Sequence, residues 1–268
     1  MRTRTKSFRL ALVVSAVMML LTSVDTAEAA NKKKKKKKNQ AQSSEVTSAL
    51  KQVDKRLLAY DTDKAQELLK PLPAEDSAVM VAAGKVLILE QKYDKAIAKL
   101  AQAVAADSGD AAASLSLGEA YAYAGQAGKA DAAFSQAAQR AQQKLDKKAG
   151  DFDALYSLGV AEQRLKKYDQ ALEHLEMARN KKPKEPMVPY QLGLTYMLRG
   201  EWPQAVDRLT QAIDLNSGFA YAYYYRGLAA DKAGRKDLLV NDLDRFLALA
   251  PDAPEAAKAR KILETARG

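Results

Sequence analysis

His174 is the only histidine in the chain, and with Glu173 beside it and Glu176 close by it forms the nearest approach to an acid–base or metal-binding group that the sequence offers. It sits between Glu173 and Leu175 on a helix with one charged and one apolar face, so a surface position is expected rather than a general base or a ligand. Glu173 and Glu176 read as part of the same solvated face. No phosphate loop, nucleophile elbow or metal-ligand spacing accompanies them. The absence of cysteine removes thiolate nucleophiles, disulfides and thiolate metal sites. The expectation is a protein that is not an enzyme and carries no cofactor and no metal.

Charge is the next chemistry to weigh. The formal net charge is +10, and most of it sits in one run, Lys32, Lys33, Lys34, Lys35, Lys36, Lys37 and Lys38. A smaller basic excess lies in residues 1–29, which leaves the chain from residue 39 onward nearly neutral. A near-neutral body has no broad phosphate-binding face, so nucleic acid is not an expected partner. The lysine run, within a disordered tether over residues 30–44, is either a solubilising spacer or a dock for an anionic surface. In the second case each lysine near such a surface would contribute up to ~1 kcal/mol, with strong salt dependence.

Ahead of the lysines, a basic start, an apolar stretch from Leu10 to Val24 and the small-x-small triplet Ala27-Glu28-Ala29 have the form of a signal peptide over residues 1–29, cleaved after Ala29. Periplasmic or secreted localisation follows, with no integral span after cleavage. The alternative is an uncleaved membrane anchor. Against it, a stretch of that length at ~1.5 Å per residue spans about 22 Å, short of a ~30 Å hydrocarbon core; for it, lysines just beyond an apolar segment prefer the cytoplasmic side.

The body is ordinary globular material, 47% hydrophobic and 28% charged, rich in alanine, leucine, glutamine and lysine, which favours helices throughout. Its organisation is set by repetition. Gly84, Gly118, Gly159, Gly193 and Gly227 recur every 34 residues, apart from one step of 41 between Gly118 and Gly159. Ala96, Ala130, Ala171, Ala205 and then Leu239 keep the same steps twelve residues later. An insertion of seven residues is about two helical turns, so it lengthens a helix across 139–148 and preserves its facing. The units run 77–110, 111–151, 152–185, 186–219 and 220–253, with a degenerate hairpin at 46–76 shortened by Pro71 and a capping helix at 254–265.

These units resemble tetratricopeptide repeats. The likeness is carried by Leu158-Gly159 with Ala171, Leu175, Ala178 and Pro183, by Leu192-Gly193 with Tyr196, Ala205, Leu209 and Ala212, and by Leu117-Gly118 with Tyr121, Ala130, Phe134 and Ala137. Gly84 with Leu87, Ala96, Leu100 and Ala103 fits, whereas the last unit departs at Arg226 and Phe246. The resemblance implies an all-α fold, a right-handed α-solenoid of tetratricopeptide helical hairpins over 45–268. Within a first helix, Leu155, Leu158 and Gly159 are expected to face the second helix, and Glu162 breaks that stripe.

The resemblance also implies a concave groove lined by first helices. Its lining would be Tyr156, Val160, Met187, Tyr190, Leu194, Met197, Tyr221, Tyr224 and Leu228, with Arg164 and Lys232 as cations at the edge. Tyr156, Tyr190 and Tyr224 stand 34 apart. They form either a ladder for an apolar or amphipathic peptide or seals between adjacent first helices. Lys85 alone resembles a carboxylate-clamp residue, so capture of a C-terminal carboxylate is not expected. Trp202, opening a second helix, reads as a packing anchor. The function implied is a protein–protein interaction scaffold of the cell envelope; the alternative is a polyanion- or membrane-docking factor working through Lys32 to Lys38.

Overall fold

The computed structural model describes residues 43–267, and among these every regular element is a helix. Residues 1–29, read above as a signal peptide, and the lysine run lie outside the described residues. The chain separates into compact units at 49/50; of the first unit, residues 43–49 are described and are helical. The second unit, from Leu50 onward, holds the repeats.

Helix α1 covers residues 43–58 and α2 Thr62–Leu69. Four hairpins come next: α3 (Ser77–Leu89) with α4 (Tyr93–Ala106), α5 (Ala111–Tyr123) with α6 (Ala127–Lys147), α7 (Phe152–Arg164) with α8 (Tyr168–Lys181), and α9 (Met187–Arg199) with α10 (Trp202–Leu215). The last hairpin pairs α11 (Ala220–Lys232) with α12 (Lys236–Leu249), and α13 (Ala256–Arg267) closes the stack. From α2 to α13, helices adjacent in sequence pack on one another through the hairpins and between them. First helices of successive hairpins also touch one another, α3 with α5, α5 with α7, α7 with α9 and α9 with α11. The stack therefore curves with its first helices on the inside.

Local chemistry sets the helix ends. The carboxylates of Asp76, Asp110 and Asp151 accept backbone N–H bonds at the starts of α3, α5 and α7, satisfying donors that the helix leaves unpaired. Within each hairpin the turn is a Schellman closure: Lys92 N–H donates to Leu87, Gln126 to Tyr121, Lys167 to Glu162, Glu201 to Tyr196 and Arg235 to Ala230, at 2.8 to 2.9 Å. Its left-handed residue is glycine at 125, 200 and 234, but Gln91, Lys166 and Tyr60 elsewhere. A side chain in that region costs about 1–2 kcal/mol, and Tyr60 is the bulkiest to bear it.

The hairpin interiors repeat. A Cβ on Gly118 would lie 2.5 Å from the Phe134 ring, one on Gly159 2.8 Å from Leu175 and one on Gly193 2.6 Å from Leu209. Gly84 meets Leu100 in the same way. A mid-helix glycine costs ~1 kcal/mol against alanine, and here close approach to the second helix offsets it. Gly227 is looser, its nearest neighbour being Asp242 Cβ at 3.2 Å.

Helix α6 has 21 residues where the other second helices of these hairpins have 14. Its overhang carries Lys144, and Lys148 follows the last turn; each lies 3.1 Å from the Asp151 carboxylate, which also accepts from Ala154 N–H at the start of α7. Burial works to raise the Asp151 carboxyl, but these three donors prevail and hold it at about 2.

Two interiors replace an aliphatic contact by charge. Glu162, which interrupts the apolar stripe of α7, is buried, and its Oε2 lies 2.7 Å from Nδ1 of His174 on α8. His174 is thus a half-buried partner of a core carboxylate, not a surface residue. The bond to Glu162 raises its pKa, against the opposing effect of burial. In the last hairpin Arg226 donates to both oxygens of the buried Asp242, at 2.8 and 2.7 Å, and to Thr210 at 3.1 Å. Glu176, expected on a solvated face, bridges Arg179 at 2.7 Å and Arg208 at 2.9 Å. Trp202 is half-buried at the start of α10.

Candidate functional site on the inner face

Each first helix presents two rows to the inside of the curve, one and five residues beyond its glycine. The nearer row runs Lys85, Glu119, Val160, Leu194, Leu228, and the farther row Leu89, Tyr123, Arg164, Leu198, Lys232. In the nearer row Val160 is buried by the next first helix, packing in a cluster that includes Val188 and Leu192, while Leu194 and Leu228 are half-buried. In the farther row Tyr123 is 58% exposed and Leu198 54%, and Lys232 is also exposed. Arg164 lies between them, donating from Nη2 to Glu119 Oε1 at 3.0 Å. Lys85 is 3.9 Å from Asp54. The accessible strip is therefore an alternation of apolar and cationic groups with one acid beneath it.

The tyrosines spaced by 34 take different positions. Tyr156 is half-buried and stacks on Phe152, with ring centroids 6.1 Å apart. Tyr190 is buried against Phe219 at 4.5 Å and Tyr225 at 6.1 Å, so it seals α9 to the next hairpin. Tyr224 is buried against Phe246 of α12, at 4.9 Å. Their rings are largely spent on packing. Met187, Met197 and Tyr221 remain half-buried around Tyr190, together with Leu194.

The inside of the curve is partly filled by the chain itself. Tyr60, in the turn after α1, has its ring 6.0 Å from Tyr221 of α11 and donates its hydroxyl to the carbonyl of Leu89 at 2.8 Å. Leu58 packs against the Tyr190 cluster. Tyr221 in turn donates to Glu255 Oε2 at 2.6 Å, just ahead of α13. Tyr93 stacks on Tyr123 with centroids 5.9 Å apart.

Burial, with Glu255 second, pushes the Tyr60 phenol up to about 12, and the same two causes bring Tyr224 to about 12. Tyr156, Tyr190 and Tyr221 are raised further, burial again leading. These hydroxyls consequently stay protonated at neutral pH and can donate hydrogen bonds. Among the described residues no group of carboxylates and histidine is placed to hold a metal ion. No described helix is long and apolar enough to cross a membrane.

Sequence reasoning placed Arg164 and Lys232 on this face but missed Tyr123 and Leu198, which hold the same register. Counting five residues on from each glycine finds all four. It also missed Glu119, which stands in the nearer row with Val160 and Leu194, and Tyr60, Tyr225 and Glu255, which lie off the first-helix stripe that begins at Tyr156, Tyr190 and Tyr224.

Comparison with known proteins bears on the fold. A tetratricopeptide repeat family model matches residues 110–184 and a second, described as TPR repeat, matches 193–234. No curated protein matches the chain. Among solved structures, TTC0263, a thermophilic TPR protein of Thermus thermophilus, aligns over 71% of this chain and 98% of its own at 20% identity, with a TM-score of 0.56. YrrB, described as a TPR protein with an unusual peptide-binding site, aligns over 70% and 93% at 21% identity, with a TM-score of 0.42. The first TPR of Spaghetti (RPAP3), bound to an HSP90 peptide, aligns over 44% and 94% at 24% identity, also at 0.42. The glycine period, the repeated packing at each glycine and the likeness to TTC0263 give the fold, an all-helical solenoid of tetratricopeptide-type hairpins, and the two model matches mark residues 110–184 and 193–234 as tetratricopeptide repeat.

Proposed function

We propose that the protein is a non-enzymatic scaffold that holds another polypeptide on the inner face of its solenoid, with the strip Tyr123, Arg164, Leu198 and Lys232 as the principal contact surface. The observation that carries this reading is the pair of large apolar side chains, Tyr123 and Leu198, left more than half exposed in one register with two cations. Exposed apolar groups in a row, alternating with charge, fit an amphipathic segment. Leu194, Met197 and Leu228 form the floor beneath, with half-buried Met187 and Tyr221 as the wall on the side of the last hairpin and the buried Tyr190 and Tyr224 backing it from within. Half-buried Tyr156 continues that wall nearer the middle, whereas Val160 is covered by the next first helix and only supports it.

Installing a photo-crosslinking residue at Leu198 tests it, with Met177, an exposed apolar residue of a second helix, as the control. Adducts to a partner at 198, absent at 177 and reduced by Tyr123→Ala, are expected. Equal adducts at both positions, or none at either, would refute the reading.

The site of action we infer is the cell envelope, on the strength of Leu10 to Val24 followed by Ala27-Glu28-Ala29. Sequencing the N-terminus of the mature chain checks this, Ala30 being the residue expected first. The concentrated charge of Lys32 to Lys38 supports a second role, docking to an anionic surface. Binding to anionic vesicles that vanishes on deleting the seven lysines or in about 0.5 M salt is the expected result.

A further inference from the structure

Tyr60 is the anomaly of the inner face. It takes φ 57° at a turn position that is glycine in three of the other five hairpins. An aromatic side chain persists in that backbone only where its surroundings hold it. Here the surroundings are remote in the chain: the hydroxyl is bonded to Leu89 O and the ring rests near Tyr221. Two residues earlier, Leu58 enters the cluster that contains Met187, Tyr190, Tyr221 and Tyr225. The turn of the first hairpin thus spans from the end of α3 to the inner surface of the last hairpins, as a bound segment would.

The surface under it is built for such a segment. The cluster that Leu58 joins, with Met187, Tyr190 and Tyr225 among its members, is an apolar surface suited to a branched aliphatic group. Tyr221 is fixed by its bond to Glu255, which gives an aromatic partner of set orientation. The Leu89 carbonyl supplies the acceptor that a phenol needs and a phenylalanine could not use.

We propose that this pocket is a subsite for a partner segment carrying leucine and tyrosine two residues apart, and that Leu58 and Tyr60 occupy it in cis as a built-in competitor. The proposal rests on the reading of the inner face as a protein-binding surface and deepens it, adding the kind of segment recognised and a reason why binding is held in check. A partner must displace the turn, so occupancy is set by competition between a tethered and a free copy of the same pair.

The test uses the full chain and a fluorescein-labelled peptide with the sequence of residues 54–63. Fluorescence polarisation is measured against the parent, against Tyr60→Gly and against the double variant Leu58→Ala, Tyr60→Gly. Glycine suits the left-handed turn, so Tyr60→Gly vacates the pocket while easing the backbone, and a cooperative melt establishes that each variant is folded. The peptide is expected to bind the folded variants at least ten-fold more tightly than the parent, to lose that affinity when its own tyrosine is alanine, and to lose it again on adding Tyr221→Ala to the protein. Equal binding to parent and folded variants, or no saturable binding to the variants, overturns the proposal. Crosslinking at Leu198 does not depend on the pocket, so failure here and failure of the scaffold reading give separate signatures.

Discussion

The α9–α10 and α11–α12 hairpins share a period and a backbone, yet they are closed by different forces. In the first, Gly193 lets Leu209 approach to a distance that leaves no room for a methyl group. In the second, Gly227 faces Asp242 and Leu243 with more room, and the interior is fastened by the two-pronged Arg226–Asp242 pair with Thr210 behind it. The same fold is thus enforced by steric fit in the middle of the stack and by a directional ion pair near its end.

The strongest way to break this contrast is Asp242→Ala. Removing one partner leaves a largely buried guanidinium uncompensated, and a loss of about 3 kcal/mol in denaturant unfolding is expected. Arg226→Leu combined with Asp242→Ala should return most of that, because leucine holds the corresponding place in the α5, α7 and α9 hairpins as Leu117, Leu158 and Leu192. If the double variant were as unstable as the single one, the pair would be contributing more than closure.

Gly193→Ala should come next, overpacking against Leu209 by about 1–3 kcal/mol. Gly227→Ala sharpens the comparison, since the looser fit leaves the gain in helix propensity, ~1 kcal/mol, to cancel the crowding. Equal melting temperatures for the two alanine variants would mean that the difference in glycine spacing has no energetic meaning.

The α7–α8 hairpin lies between these cases and adds a pH dependence. His174 has its pKa raised above the ordinary 6.5 by its bond to Glu162, so folding favours the protonated ring. The stabilisation is fully present below pH 6.5 and is lost as pH rises through the folded value. Thermal melts over that window should show the decline, with Glu173 as a second nearby carboxylate, and His174→Gln should flatten it. The smallest effect is expected for Leu198→Ala, within about 0.5 kcal/mol of the parent in stability, although the proposed partner contact would weaken.

The hairpin interiors were legible in the sequence because each contact is local. Gly159 and Leu175, or Gly193 and Leu209, fall within one repeat, and their spacing is fixed by two helices and a turn. Glu162 could be seen as an exception in the stripe, but its match with His174 required knowing which faces meet. The inner face was legible only in part. Which of Tyr156, Tyr190 and Tyr224 is covered depends on how closely the following first helix approaches, and Tyr190 is covered by Phe219, which precedes that helix. The seating of Tyr60 on Tyr221 depends on the accumulated rotation of all the hairpins between them, a sum of small angles that no single motif encodes.

That last contact changes the kind of object the stack is. A row of repeats with only nearest neighbours behaves as a quasi-one-dimensional chain, in which either end can fray without consulting the other. Joining the turn after α1 to α11 makes the first and last hairpins neighbours, so opening one exposes the other, and melting should gain cooperativity that a linear array of the same hairpins would lack.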